Sequence, residues 1–269
     1  DVLGSRGLGD VYKRQIMDFE HVKAVFEEYL NGYDRENDKV KLKIVHTYGV
    51  IRCSEEIGRR MGLQAEDMEL AKLIALLHDI GRFEQLKRFN SFEADTMDHA
   101  TYGVKVLFEE GMIRQFIEED TWDDVIRTAI AKHSDYELTG ITDERTLLHA
   151  RLIRDADKLD NCRVKLEDAM ETLLDLSADE VGKYAISPKV REDAFAGKCI
   201  CSKDRRTPMD YWVSYVAYFY DLNFQETLDI VAEEQYVKRI IGRVPYTNEQ
   251  TKKTMEELER QLTEYVRRK

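Results

Sequence analysis

Proline is almost missing. The chain of 269 residues holds three, Pro188, Pro208 and Pro245, and none between residues 17 and 184. Without that helix breaker, so long a stretch favours long helices over a strand-and-turn architecture. Cysteine is scarce too: Cys53, Cys162, Cys199 and Cys201 are too few and too scattered for a disulfide scaffold. Cys199 and Cys201 form a C-x-C, but no second pair completes a zinc site. The thiols therefore read as reduced and the expected compartment is the cytoplasm. Positive charge is in deficit, and a net charge of −12 gives no general attraction for long nucleic acid or an anionic membrane. A small phosphorylated molecule can still be held by a local cationic site. No run approaches the ~20 apolar residues that cross a bilayer. The most hydrophobic late segment, "YWVSYVAYFY", is short and tyrosine-rich and reads as core.

What is present is helical periodicity. "FEHVKAVFEEYL" sets Phe19, Val22, Val25, Phe26, Tyr29 and Leu30 at three- and four-residue steps. Between Val40 and Met61, the residues Leu42, Val45, Gly49, Cys53 and Ile57 fall along one stripe. "AEDMELAKLIALLHD" opens on acidic residues and is expected to end at Gly81 as a cap. Further helices are predicted over 98–110, 113–119 and 122–133, and from Glu144 past Leu166 toward Leu174. Residues 175–207 read as an irregular flap, and helix resumes at Asp210 to the end, broken around "GRVPYTNEQ". The first sixteen residues, Gly-rich and aperiodic, read as a non-native or disordered leader. The expectation is one all-α domain over 17–269, with a motif core at about 40–160 and a C-terminal helical extension at about 208–269.

Against this background, "LIALLHDIGRFEQL" raises a question. An oily run, Leu73 to Leu77, leads straight into adjacent His78 and Asp79. Burying a charge costs several kcal/mol unless it is paired, hydrogen-bonded or metal-bound, so the pair needs partners. Other histidines share its setting. His46 lies four residues from Leu42 and from Val50, His99 shares a face with Gly103 and Val106, and His133 is in register with Ile126 and Ala129. In "LIRDADKLDN", Asp157 follows Ile153 by four. Residues at i and i+4 share a helical face, so each of these points inward. A lone inward histidine is ordinarily a satisfied core residue; several on separate helices suggest a shared task. Imidazole and carboxylate together suit Mn²⁺, Fe²⁺, Co²⁺ or Zn²⁺, with Mg²⁺ also compatible.

The order His46, then His78-Asp79, then an aspartate in "DADKLDN" resembles the HD-domain superfamily of metal-dependent phosphohydrolases, whose pattern is H…HD…D on a helical scaffold. Ala156-Asp157-Lys158 matches the family's "AD" followed by a basic residue, which favours Asp157 as ligand, with Asp155 second. "DHATYG" and "AIAKHSD" are similar to the extra histidine segments of two-metal members, bringing in His99 and His133. The resemblance implies that His46, His78, Asp79 and Asp157 hold one divalent ion and that Asp79 bridges to a second ion on His99 and His133. It further implies a phosphohydrolase that cleaves a phosphomonoester or phosphodiester of a nucleotide or related small molecule through a metal-activated water.

Within that reading, Arg82 and Lys158 are candidates to steady the phosphate, Lys158 with a catalytic part as well, and Glu84 is a candidate proton donor. His21 and His149 fall outside the motifs and read as structural. No Glu-Asp pair follows "HDIG" and no GYP signature is present, so the resemblance names no substrate. Two rival readings accompany it: an HD-fold di-iron oxygenase, and a non-catalytic metal- or nucleotide-binding sensor.

Overall fold

The computed structural model describes residues 17–268; the leader expected at residues 1–16 lies outside them. The chain runs through α1 (Phe19–Leu30), α2 (Asp38–Met61), α3 (Ala65–Leu77), α4 (Ile80–Phe89), α5 (His99–Val104), α6 (Ile113–Phe116), α7 (Asp123–Lys132) and α8 (Glu144–Glu167). It continues with α9 (Met170–Leu174), α10 (Ala178–Val181), α11 (Pro188–Phe195), α12 (Pro208–Ala217), α13 (Gln225–Glu233), α14 (Tyr236–Ile241) and α15 (Glu249–Arg268). A π-helical turn at Lys105–Glu109 extends α5, and 3₁₀ turns occupy Ser202–Asp204 and Tyr218–Asp221. No strand occurs among the described residues, and the fold is all-α, as expected.

Local chemistry sets the helix ends. The side chains of Asp18, Asn37, Asp98 and Asp143 accept from first-turn N–H groups of α1, α2, α5 and α8, satisfying donors that have no intrahelical partner. Gly62 closes α2 in the left-handed region at φ +71°. Pro188 and Pro208 sit in the first turns of α11 and α12, where a missing N–H costs nothing.

Helix α2 packs against both α3 and α8, α7 against α8, and α4 against α5. The apolar core continues from Val22 to Val266. Trp212, Val213, Val216, Ala217 and Phe219 of the "YWVSYVAYFY" segment are buried in it, as the reading of that segment as core requires. Among the described residues no helix is long and apolar enough to cross a membrane.

Several sequence expectations are corrected. Val45 is 51% exposed, because the buried face of α2 is centred on His46, Val50 and Ile57, about 100° round the helix from Val45. Helix α3 stops at Leu77, and Gly81 lies inside α4 instead of capping the previous helix. Its use is steric: a Cβ there would stand 2.2 Å from the His99 carbonyl oxygen and 2.7 Å from the Gly103 nitrogen. The helix expected over 113–119 ends at Phe116, where Ile117 turns extended at φ −139°. The helix from Glu144, expected to reach Leu174 with or without a break, has its break at Asp168 before α9. The flap expected at 175–207 contains α10 and α11.

Candidate metal centre

The break between α3 and α4 is what delivers the His-Asp pair. His78 follows the last residue of α3, and Asp79 has left helical geometry at φ −104°, ψ 17° before α4 begins. Both are buried. The pair thus stands at a corner between two helices, not side by side on one continuous helix. Opposite the corner, α2 presents His46, α8 presents Asp157, and the first residue of α5 and the C-terminal end of α7 present His99 and His133.

The imidazoles are held from behind. His46 Nδ1 donates to Asp160 Oδ2 at 2.8 Å, His78 Nδ1 to the Ala75 carbonyl at 2.7 Å, and His133 Nδ1 to the Ile130 carbonyl at 2.7 Å. Each bond aims Nε2 at the centre. That pattern, one ring nitrogen anchored and the other convergent, is what metal-binding histidines require. His46 Nε2 lies 2.9 Å from Asp157 Oδ1, and His78 Nε2 lies 3.9 Å from the same oxygen. Asp79 straddles the cluster. Its Oδ2 faces His78 Nε2 at 3.5 Å, while its Oδ1 faces His99 Nε2 at 3.2 Å and His133 Nε2 at 3.5 Å. His99 and His133 meet at 3.1 Å between their Nε2 atoms. Ligands bound to one ion at about 2.1 Å stand roughly 3.0–3.4 Å apart; the 3.2 and 3.1 Å separations fall in that range, those of 2.9 and 3.5 Å lie at its edges, and the 3.9 Å separation is outside it.

The donor set fits divalent metal on a second ground. His78 Nε2 is fully buried and has no hydrogen-bond partner among the described residues, a condition that is costly for a polar atom unless it has a ligand to meet. Two overlapping groups, His46 with His78 and Asp157, and His78 with Asp79 and His133, have ligand atoms within 4.8 Å of one another. Electrostatics hold His78, His99 and Asp79 in ligating form. Burial draws His78 down to about 4 and His99 to about 3, so both are neutral near pH 7. Burial pushes Asp79 upward, but Lys43 and the surrounding histidines outweigh it and hold the carboxylate well below its ordinary range. Burial and Lys43 press His46 toward its neutral form, and hydrogen bonds to Asp157 and Asp160 more than reverse this.

Asp155 and Asp157 are separated cleanly. Asp155 is buried on another face of α8, where it accepts from the backbone N–H groups of Asn223 and Phe224 and from Thr227 Oγ1. It serves the N-terminus of α13, away from the cluster. Asp157 is the aspartate the fold brings to the histidines.

Two other sequence candidates stand away. Lys158 pairs with Asp221 at 2.8 Å, and Glu84 accepts from Arg88 at 2.6 Å and from Tyr33 at 3.3 Å. Neither lines the cleft beside the cluster; each has a partner on the helix surface instead. Arg82 does line it, with Nη2 3.0 Å from His99 Nε2 and Nε without a hydrogen-bond partner. His21 and His149 bond to the Gln115 carbonyl and to Asp67, in keeping with structural roles.

The cleft has a volume of about 310 Å³, and Lys39, Lys43, Arg82, Lys165 and Arg205 line it together with the carboxylates of Asp79, Glu93, Asp157 and Asp175. Sequence reasoning missed Lys43, whose Nζ lies 2.7 Å from Asp79 Oδ2. Its spacing three residues before His46, on one helix face, was the available signal. It missed Asp160 too, although "DKLDN" contains it. Gly49 makes room for that carboxylate, since a Cβ there would fall 1.9 Å from Asp160 Oδ1.

Arg154 is a third omission. Its guanidinium is 2% exposed, and Nη1 donates to the carbonyls of Lys132, His133 and Asp135 while Nη2 pairs with Asp221 at 2.6 Å. It thus closes the C-terminal end of α7, where orphan carbonyls and the helix dipole favour a cation, and fixes the backbone of His133. Replacing Arg154 with Met is expected to destabilise the fold by about 3–5 kcal/mol, as for other broken buried ion pairs, and to lower metal content at His99 and His133. Denaturant unfolding with metal analysis of the folded fraction checks both.

A family model described as HD domain matches residues 44–162, less than half of the chain. No curated protein and no solved structure matches the chain. The matched segment contains all six residues of the cluster, from His46 to Asp157. HD domains are generally metal-dependent phosphohydrolases, and the family implies binding of divalent metal.

Proposed function

We propose, from the premise that residues 44–162 are an HD domain, that this protein hydrolyses a phosphoester of a nucleotide or a similarly small phosphorylated molecule. The observation that carries the reading is the juxtaposition of the His/Asp cluster with a cleft that five Lys and Arg side chains line. His46, His78, Asp79 and Asp157 would hold one divalent ion, and Asp79, His99 and His133 a second. When bound, such ions supply Lewis acidity toward phosphoryl oxygens and a water acidic enough to attack near neutral pH.

The chain's own groups do the rest. Lys43 and Arg82 stand on either side of Asp79, with Lys43 Nζ 2.7 Å from Oδ2 and Arg82 Nε 3.8 Å from Oδ1. There they neutralise the carboxylate and offer donors to a phosphate entering the cleft. Phe92 lies within about 6 Å of both cations and of Lys39 and narrows the approach. A cleft of about 310 Å³ is of a size to hold a small molecule.

The test is phosphate release from nucleotide monoesters, and formation of the monoester product from diesters, across a panel supplied with Mn²⁺. Metal-dependent release from one substrate class, abolished by chelator, supports the reading. Tight nucleotide binding without product under several metals would replace it with a sensor, and oxygen consumption by an iron-loaded protein would replace it with an oxygenase.

A further inference from the structure

Lys165 is a buried amine with no carboxylate counter-ion among the described residues. It lies on α8 about two turns beyond Asp157, is 4% exposed, and borders the cleft. Its Nζ donates to Tyr218 Oη at 2.9 Å and toward the Asn161 carbonyl at 3.4 Å, both uncharged. The rings of Tyr215 and Tyr218 flank it at 4.8 and 4.2 Å. Among the described residues no carboxylate lies within ion-pair distance of it, whereas the equally buried Arg154 has Asp221. Burial draws the Lys165 ammonium down to about 7; the charged form is held so weakly that a nearby anion would secure it. An unpaired ammonium at such a depth is costly unless something in the cleft pairs with it.

Arg205 continues the same wall. Its guanidinium lies 4.2 Å from the centre of the Tyr211 ring, and its nearest carboxylate, Glu93, is 3.9 Å away. Tyr211 and Tyr215 are one turn apart on α12, about 6 Å, so they join Arg205 to Lys165 in a row. All four residues line the cleft that Asp79, His99, His133 and Asp157 also line, and none falls within residues 44–162. The wall is therefore supplied by this chain's own C-terminal elements.

We propose that Lys165, Arg205, Tyr211 and Tyr215 form a second anion subsite, which takes a phosphate or carboxylate group that the substrate carries besides the phosphoryl group at the His/Asp cluster. This rests on the phosphohydrolase reading of the cleft and narrows the substrate to compact phosphoesters bearing two anionic groups. The two cations supply the charge, Arg205 as a planar fork and Lys165 as a point charge, and the tyrosine hydroxyls supply neutral donors.

Two measurements separate this subsite from the hydrolase reading. In chelator-treated protein, inorganic phosphate is expected to raise the melting temperature of the native chain. Lys165→Met and Arg205→Met should each weaken the apparent phosphate affinity by about 10-fold, the loss of one charge-assisted contact. An undiminished response in both variants would overturn the subsite, whatever the protein hydrolyses. With Mn²⁺ present, a nucleoside 3′,5′-bisphosphate should exceed the matching 5′-monophosphate in kcat/KM by about 10-fold. Either variant should bring that ratio near one. A phosphorylated hydroxy acid preferred over its uncharged alcohol would assign the second group as carboxylate. Equal kcat/KM for singly and doubly anionic substrates would reject the proposal. No turnover of any substrate would count against the hydrolase reading and leave the phosphate response to decide the subsite.

Discussion

Protein carrying Asp79→Ala is expected to fold with nearly full helix content, to purify with little metal, and to lose phosphoester hydrolysis by more than about 100-fold. The reason is position. One oxygen of Asp79 faces His99 and His133, and the other faces His78 and Lys43, so a single truncation strips both halves of the centre. Removing a group that only orients a ligand costs about 10–100-fold in metal affinity or activity; removing the ligand proposed to be shared by both ions should exceed that range. Circular dichroism and metal analysis on the same preparation read the two effects separately. Full activity in the variant would mean that the cluster is not the reactive centre.

The second large effect is expected at Gly81, where stability and site are coupled. A methyl group there would lie 2.2 Å from the His99 carbonyl oxygen and 2.7 Å from the Gly103 nitrogen. Both obstacles are backbone, so neither can rotate away, and α5 must move off α4 by roughly 1 Å to restore ordinary contact. Overpacking of this kind costs about 3 kcal/mol, a fall in melting temperature of roughly 6–12 °C for a chain of this size. His99 moves with α5, so metal retention should fall alongside stability. Gly62→Ala is the control: its φ is +71° but nothing lies within 4 Å of the added carbon, so only about 1–2 kcal/mol of left-handed backbone strain is expected. Thermal melts of both variants, with metal content measured at 25 °C, decide the point. Equal, small shifts would show that α4 and α5 are not tightly apposed.

These two cases show what a linear sequence displays and what it hides. His46, His78, His99, His133 and Asp157 could be read as inward-facing because each lies four residues from an apolar or small neighbour on its own helix. That periodicity is local. Gly81 has the same local appearance as a helix cap; its actual use, admitting the backbone of α5, depends on a helix that begins at His99. Lys43, Asp160 and Arg154 were hidden for the same reason. Their meaning lies in Asp79, His46 and Asp221, which stand 36, 114 and 67 positions away. Lys158 and Glu84 present the opposite case. Adjacency to a motif suggested chemistry, but the next residue on a helix turns about 100°, which carries Lys158 from the cleft to Asp221. Asp155 and Asp157, two positions apart, divide between capping α13 and facing the histidines.

The proposed centre depends most directly on metal. Protein purified without chelator should contain close to two divalent transition-metal ions per chain by elemental analysis, falling to near zero in Asp79→Ala. A chain that carries no metal, and takes up none when Mn²⁺, Fe²⁺, Co²⁺ or Zn²⁺ is supplied, would contradict it and return the four histidines to the role of core residues.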